Sequence, residues 1–429
     1  MFEPIVLSGG PDVAARLLDV LRGAIEAVDP RRAVRNALGR EAGMLLVGGQ
    51  PVSLPRHGIT VLALGKAAVA MAWGAADALE GIPVIGVAAT PDPGPAPPGI
   101  EVVEGAHPSP DRRSVAAGAT LMAAAGAAGP EDLVLVLISG GGSACAEAPA
   151  PGLDIEHLAG ITDALLASGA PIEEINIVRR GLSLLKGGGL AAAAAPARVV
   201  TLILSDVVGN DLPTIAGGPT VPNPTGTAEA LTVIEDRRLA GAAGPAVLAH
   251  LRKGSSMTAP SAGPIVVVAD AATAAEGARA AAARLGIPAA VVDTRVTGEA
   301  RLAGRRLADL ARGPGPLMSI LAGETTVAVT GSGSGGRNQE VALAAAIALD
   351  GCDGSVVASL GTDGVDGPTR AAGGVADGST LARGRTAGLD AVAALDANDS
   401  GSYLAVVGSR LVSGPTGTNV GDVMVAWRR

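Results

Sequence analysis

Apolar residues fall into two kinds of run along this chain. One kind is short and nearly continuous: ITVLALG (59–65), PVIGVAA (83–89), EDLVLVLIS (131–139), ARVVTLILS (197–205), PIVVVAD (264–270), AAVVDT (289–294), TTVAVTG (325–331) and SVVASLGTDG (355–364). Such β-rich runs predict strands buried on both faces, as in a parallel sheet. The other kind is alanine-rich with helical spacing, as in PDVAARLLDVLRGAIEAVD (11–29), where Pro11 suits a first helical turn. Alternation of the two predicts α/β architecture: two α/β domains with mainly parallel sheets flanked by helices, a Rossmann-like N-terminal domain and a smaller C-terminal one. The stretch RKGSSMTAPSAGP (252–264) is polar and carries glycine and proline, so the expected domains are residues 1–252 and 264–429. Two proline-rich segments, PDPGPAPPG (91–99) and APAPG (148–152), read as surface connectors.

Composition narrows the function. A length of 429 residues exceeds a usual single core and agrees with two domains. Hydrophobic residues are 48% of the chain, yet only two Trp, one Tyr and one Phe occur, so the core is built from Ala, Val and Leu. Base stacking on aromatic platforms is nearly excluded, and a net charge of −9 opposes a nucleic-acid surface. An anionic substrate would need Lys and Arg placed locally against that field. Cys145 and Cys352 form no C-x-x-C, no disulfide framework and no four-Cys zinc site, which fits a reducing cytosol. The first residues lack a signal-peptide pattern, and no apolar run reaches the roughly 18 residues of a membrane span. A soluble, cytoplasmic protein is expected.

Chemistry-bearing residues collect at the carboxyl ends of the predicted strands, where open parallel sheets bind ligands. VLALG runs into Lys66, a cation that opens a helix against its dipole and so asks for a nearby anion. LVLVLIS runs into Ser139-Gly140-Gly141-Gly142-Ser143, whose consecutive amides suit phosphate oxygens, or simply a tight turn. VVTLILS ends at Ser205-Asp206, where a carboxylate can anchor a metal or accept a proton. Lys186 closes a basic helix before three glycines and is a ligand candidate through that company alone. The four histidines show no metal spacing; His107, in EGAHPSPD, alone lies in a loop of distinctive composition. In the second half, SVVASLG leads to Thr362-Asp363-Gly364-Val365-Asp366-Gly367, where Asp-Gly pairs more commonly make turns.

One motif is ambiguous. Gly331, Gly333 and Gly336 in TVAVTGSGSGGRNQE satisfy G-x-G-x-x-G after an apolar run, the dinucleotide fingerprint. Polar Arg337, Asn338, Gln339 and Glu340 follow at once, where a dinucleotide fold packs apolar residues on its sheet. No acid ends a second strand about 20 residues on. An arginine at the rim of a glycine loop suits a phosphoryl or carboxylate group instead, through its planar fork.

Taken together, LGKAA (64–68), GAHPSPD (105–111), LISGGGSA (137–144), INIVRRGLSLLKGGGLA (175–191), SDVVGNDLPTIAGGPTVPNPT (205–225), GSGSGGRNQE (331–340), GTDGVDGPT (361–369) and GPTGTNVGD (414–422) resemble the class II glycerate 2-kinases. That family joins an N-terminal glycerate-kinase domain to a C-terminal MOFRL domain, and the resemblance spans most of the chain. Family members more usually have His at Gly181, Arg at Gly189 and lysines at Ser332 and Ser334. The resemblance implies ATP-dependent phosphorylation of the 2-hydroxyl of D-glycerate with Mg2+, in an interdomain cleft. It assigns Lys66, Asp206 and Arg337 to catalysis, Asp206 also to the metal, and Ser139 to Ser143 with Lys186 to ATP. His107, Arg337, Asn338 and Asp363 are expected on the substrate. Because some relatives carry the name hydroxypyruvate reductase, an NAD(P)H-dependent enzyme of that kind, with His107 as proton donor, is the alternative.

Overall fold

A computed structural model of the chain describes residues 2–223, 225–254 and 263–429. Most of the expected linker, residues 255–262, lies outside them. The chain opens with α1 (Gly10–Ala27), which carries a proline in its first turn. Next come α2 (Pro30–Ala37) and a small antiparallel sheet of β1 (Leu38–Glu41), β2 (Met44–Val47) and β3 (Gln50–Ser53). The first large sheet is built from β4 (Ile59–Leu64), α3 (Ala68–Ala78), β5 (Val84–Thr90), β6 (Ile100–Glu104), α4 (Arg112–Gly126), β7 (Leu133–Ile138), α5 (Gly142–Cys145), α6 (Ile155–Ala167), α7 (Ile172–Gly181), α8 (Gly189–Ala193), β8 (Arg198–Leu204), α9 (Thr227–Asp236), α10 (Ala240–Lys253) and β9 (Ile265–Ala269).

Its strand order is β6-β5-β4-β7-β8-β9, and every pair from β6 to β8 is parallel. β7 is buried along its whole length, and β4 and β8 nearly so, as continuous apolar runs require when helices cover both faces. The order reverses between β4 and β7: the chain leaves β4 towards β5 and β6, and leaves β7 towards β8 and β9. Leu64 pairs with Ile138, so the two strands stop side by side at that reversal.

The second large sheet contains β10 (Ala289–Val296), β11 (Met318–Gly323), β12 (Ser355–Gly361), β13 (Gly373–Asp377), β14 (Arg410–Leu411) and β15 (Asp422–Arg428). Helices α11 (Ala271–Arg284), α12 (Ala300–Arg312), α13 (Arg337–Ala348), α14 (Thr380–Thr386), α15 (Ala391–Asp396) and α16 (Ser400–Val406) accompany it. Two α/β sheets agree with the expected class, but this one is mixed rather than mainly parallel. Only β10 and β11 run parallel; β15 enters between β11 and β12 antiparallel to both. TTVAVTG is no strand either: Thr326 makes a lone bridge to Glu299, and Val329 is 77% exposed. The strand ahead of the glycine loop is MSILAG of β11, buried throughout.

The chain divides into two compact units, 30–268 and a second made of 1–29 with 269–429. Residues 1–29 therefore group with the C-terminal half, not with the N-terminal domain to which sequence order assigned them. The cause is a close crossing of α1 and α11. A Cβ on Gly277 would lie 2.3 Å from Ala27 Cβ and 2.6 Å from the Gly23 carbonyl oxygen. Reciprocally, one on Gly23 would lie 2.5 Å from Ala281 Cβ. The obstacle is partly backbone, which cannot step aside as a flexible side chain would. Gly277→Leu is expected to lower the stability of this unit by about 2–3 kcal/mol through overpacking, read from urea unfolding. Wild-type stability in that variant would mean that α1 does not rest on α11.

Candidate active site

In the unit of residues 30–268, the strand-order reversal leaves a crevice at the carboxyl ends of β4 and β7. Gly65 turns the chain out of β4 with φ 115°, and a Cβ there would lie 2.4 Å from the Ser139 carbonyl oxygen. The next amide, Lys66 N–H, donates to the Gly140 carbonyl at 2.9 Å, joining the two strand-end loops. Lys66 itself is exposed. Gly141 is left-handed, with φ 80°, and starts α5. A Cβ on Gly141 would come within 2.9 Å of His107 Cδ2 and 3.2 Å of Lys66 Cγ; one on Gly140 would sit 2.1 Å from Asp206 Oδ2. Lys66, His107, Asp206 and the glycines thus share one place, packed so closely that a Cβ at either glycine would strike a neighbouring side chain.

Charge in this cluster acts on its neighbours. Burial pushes the His107 imidazole down and Lys66 adds to the effect, so the ring is neutral at neutral pH. Burial pushes the Cys145 thiol up to about 11, although Lys66 pulls the other way. Cys145 is therefore a protonated core residue, not a nucleophile.

Two residues expected on ATP are engaged by partners within the protein. Ser139 is 1% exposed; its hydroxyl accepts from Ala67 N–H at 3.0 Å and faces the Leu64 carbonyl at 3.4 Å. It ties β4 to β7 and has no hydroxyl left for a phosphate. Lys186 is also 1% exposed and ion-paired with Glu147, itself 1% exposed. Burial pushes the Lys186 ammonium down and Glu147 counters it. A charge in that position is satisfied within the protein.

In the other unit, α13 begins at Arg337, and its first residues converge on two carboxylates. Arg337 donates from Nε and Nη2 to Asp422 Oδ2 and Oδ1 at 2.8 and 2.9 Å, a two-pronged pair, and its Nη1 lies 3.1 Å from Glu324. Asp422 is fully buried, whereas the arginine side chain is 32% exposed and keeps one flank open. Asp422 holds its pKa-raised partner in place as the first residue of β15, between β11 and β12. Asn338, expected on the substrate, is fully buried: its Nδ2 donates to Asp422 at 2.8 Å and its Oδ1 accepts from Ser359. It orients Asp422 instead. Asp366 receives Asn338 N–H and Gln339 N–H at 3.0 and 2.8 Å, so a buried carboxylate already occupies the amide end of α13. Burial pushes the Asp366 carboxyl up, partly offset by those hydrogen bonds. Asp363 makes a turn, its carboxylate accepting from Val365 N–H at 3.0 Å.

The glycine loop resolves against a dinucleotide. Thr330 and Gly331 amides donate to Asn398 Oδ1, both at 2.8 Å, Gly333 to the Ala397 carbonyl at 2.9 Å, and Ser334 to Asp399 Oδ1 at 2.9 Å. Cβ atoms on Gly331 and Gly333 would strike Ala397 and Asp399 at 2.1–2.4 Å. These glycines admit the turn between α15 and α16, and their amides serve side chains of the same unit. Thirteen residues also separate β11 from α13, where a dinucleotide fold has a tight turn.

The sequence reading passed over Asp422, Glu147, Asn398 and Asp399. Glu147 carried a signal, as a lone acid inside the apolar run SACAEAPA; the others stand in polar turns that look like many. Among the described residues no group of three or more His, Cys, Asp or Glu could hold a metal, and no helix is long and apolar enough to cross a membrane. Asp422→Asn should cost roughly 2–3 kcal/mol, less than a fully buried pair because Arg337 is a third exposed. Thermal unfolding checks this, and an unchanged midpoint would remove Asp422 as the anchor of Arg337.

Residues 16–252 match the family described as a domain of unknown function (DUF4147), and residues 317–422 match the MOFRL family. A D-glycerate 2-kinase of Thermotoga maritima is 38% identical over 421 residues, covering 95% of this chain and 96% of that protein. A glycerate 2-kinase of Pyrococcus horikoshii is 38% identical over 420 residues, 94% of each chain. A crystal structure of glycerate kinase from Thermotoga maritima superposes with a TM-score of 0.86 at 35% identity, covering 98% of this chain and all of that one. The chain belongs to the glycerate 2-kinase family that joins a DUF4147 domain to a MOFRL domain.

Proposed function

We propose that this chain is an ATP-dependent glycerate 2-kinase, transferring the γ-phosphoryl group of ATP to the 2-hydroxyl of D-glycerate to give 2-phosphoglycerate and ADP. The observation that carries the reading is the meeting of Lys66, Gly140, Gly141 and Asp206 at the β4/β7 reversal. Phosphoryl transfer asks for positioning and for neutralising charge on three phosphoryl oxygens, with little covalent help. Glycines 140–142 let phosphate oxygens approach the main chain, and the Lys66 ammonium faces the transferred group. Asp206 would hold Mg2+, since one carboxylate acting with the substrate phosphates is the usual protein share of such a site. When bound, the ion would spread the phosphate charge. Arg337, fixed by Asp422, offers its open flank to the glycerate carboxylate or the transferring group. Asp363, with its carboxylate turned to Val365 N–H, is a weaker candidate for the substrate. His107, neutral beside Lys66, can accept or donate a hydrogen bond to glycerate without adding charge. The partners are small molecules and the setting cytoplasmic.

The hydroxypyruvate reductase alternative loses support at both of its requirements. Its nicotinamide loop has its amides committed to Asn398 and Asp399, and its proton donor His107 is pushed towards the neutral form. Incubation with D-glycerate and ATP, coupled through enolase without a mutase, should yield phosphoenolpyruvate. Oxidation of NADH by hydroxypyruvate with no ADP formed would overturn the proposal.

Two substitutions test the roles. Arg337→Ala should lower kcat by roughly 10²-fold or more, the usual loss of a preorganised charge partner. Arg337→Lys should recover little, because an ammonium lacks the fork that Asp422 holds. Near wild-type turnover in either variant would take Arg337 out of the reaction. Lys66→Ala should reduce kcat/KM for ATP by a similar factor, and intact activity together with intact ATP affinity would exclude Lys66.

A further inference from the structure

Joined to the 140–143 glycine loop is a buried charge cluster that the proposed reaction does not use. Glu147 follows α5 closely and is held by its main chain, its N–H donating to the Ser114 carbonyl at 3.0 Å. Its Oε1 accepts from Ala148 N–H at 3.0 Å and from the Ser183 hydroxyl, and its Oε2 pairs with the Lys186 ammonium. Arg179, whose pKa burial pushes down while Glu147 counters it, donates from Nη2 to the Ser143 carbonyl at 3.1 Å, within the glycine loop itself.

The other side of Lys186 reaches the segment that follows Asp206. Gly217 has φ 76°, and a Cβ on it would lie 2.8 and 2.9 Å from Lys186 Cδ and Cγ, so the lysine methylenes lie flat on this glycine. Gly187 N–H donates to the Gly217 carbonyl at 2.9 Å and Gly188 N–H to the Gly218 carbonyl at 2.8 Å. Ala216, left-handed with φ 53°, packs its Cβ against Gly142, where an added Cβ would be 3.0 Å away. A left-handed alanine costs energy and persists only where its surroundings over-determine it. One ion pair therefore joins the glycine loop, the 186–189 turn and the segment carrying Asp206.

We propose that Lys186 and Glu147 are positioning residues: their pair fixes the spacing between the 140–143 loop and the 206–218 segment, with Arg179 as a second tie to Ser143, and Lys186 does not touch ATP. This rests on the kinase reading only for naming phosphate as what the loop receives. The geometry it predicts is open to a separate readout, because Cys145 is buried at the end of α5 directly after that loop.

The test uses the full chain in a Cys352→Ala background, with maleimide labelling of Cys145 beside kinase kinetics. Lys186→Met keeps the length and removes the charge, leaving Glu147 uncompensated. It should raise the labelling rate by about tenfold or more and lower kcat by a similar factor. Adding Glu147→Gln makes a neutral pair of the same shape, which should restore protection of Cys145 and about tenfold of the lost kcat. A ligand lysine predicts otherwise. Protected Cys145 in Lys186→Met, with a raised KM for ATP and no recovery in the paired variant, overturns the proposal. If the single variant fails to fold, the paired one decides alone: folded with Cys145 protected supports the strut, while unfolded, or folded with Cys145 open, overturns it. A wild-type chain that does not phosphorylate glycerate would instead overturn the kinase reading and leave the labelling arm standing.

Discussion

The site in the first unit depends on two parallel strands that stop in register while their continuations leave in opposite directions. β4 and β7 end at Leu64 and Ile138, and no crossover helix can close the gap where the sheet order reverses. Everything placed there must leave room. Gly65 allows the Ser139 carbonyl to approach, Gly140 allows Asp206, and Gly141 allows His107 and Lys66. The exposed cation and the carboxylate are then neighbours across a floor of bare main chain. In a chain of net charge −9, Lys66 is the cation this cluster offers to an anion.

Around this opening the structure handles charge in two ways. Exposed charges such as Lys66 remain available to a ligand, whereas interior ones are matched within the unit that holds them. Lys186 with Glu147 and Arg337 with Asp422 illustrate the second kind, and removing one member of such a pair leaves its partner buried and uncompensated. The difference explains why residue type alone misleads. Two lysines beside glycine runs look alike in the sequence, yet one ends exposed at a strand terminus and the other fully enclosed.

Much of the first unit could be read from the sequence because most of its parallel strands are continuous apolar runs, and Lys66, the glycines and Asp206 each follow directly from one. ITVLALG, LVLVLIS and VVTLILS became β4, β7 and β8 and delivered Lys66, the glycines and Asp206 to one edge. The second unit yielded less. Its sheet takes a C-terminal strand, DVMVAWR, antiparallel into its centre, and pairings between segments so far apart along the chain leave no local trace. TTVAVTG has strand composition but no ladder partner, so its exposure follows from topology that periodicity cannot supply. The placement of α1 depended on glycines at 23 and 277 meeting, a contact invisible to any local window.

The G-x-G-x-x-G stretch shows why such a motif underdetermines its ligand. Glycine offers a bare amide and a missing side chain, and either a pyrophosphate or a protein carboxylate can use both. Here Asn398 and Asp399 take the amides of residues 330, 331 and 334, while Asp366 takes those at the start of α13. Asp399 and Asp366 oppose a phosphate ligand by like charge as well as by occupancy, and the neutral Asn398 amide by occupancy alone. What the loop leaves open is the Arg337 flank. A motif that in another fold binds a cofactor here spends its amides on side chains of its own unit and leads into an arginine held on a buried acid.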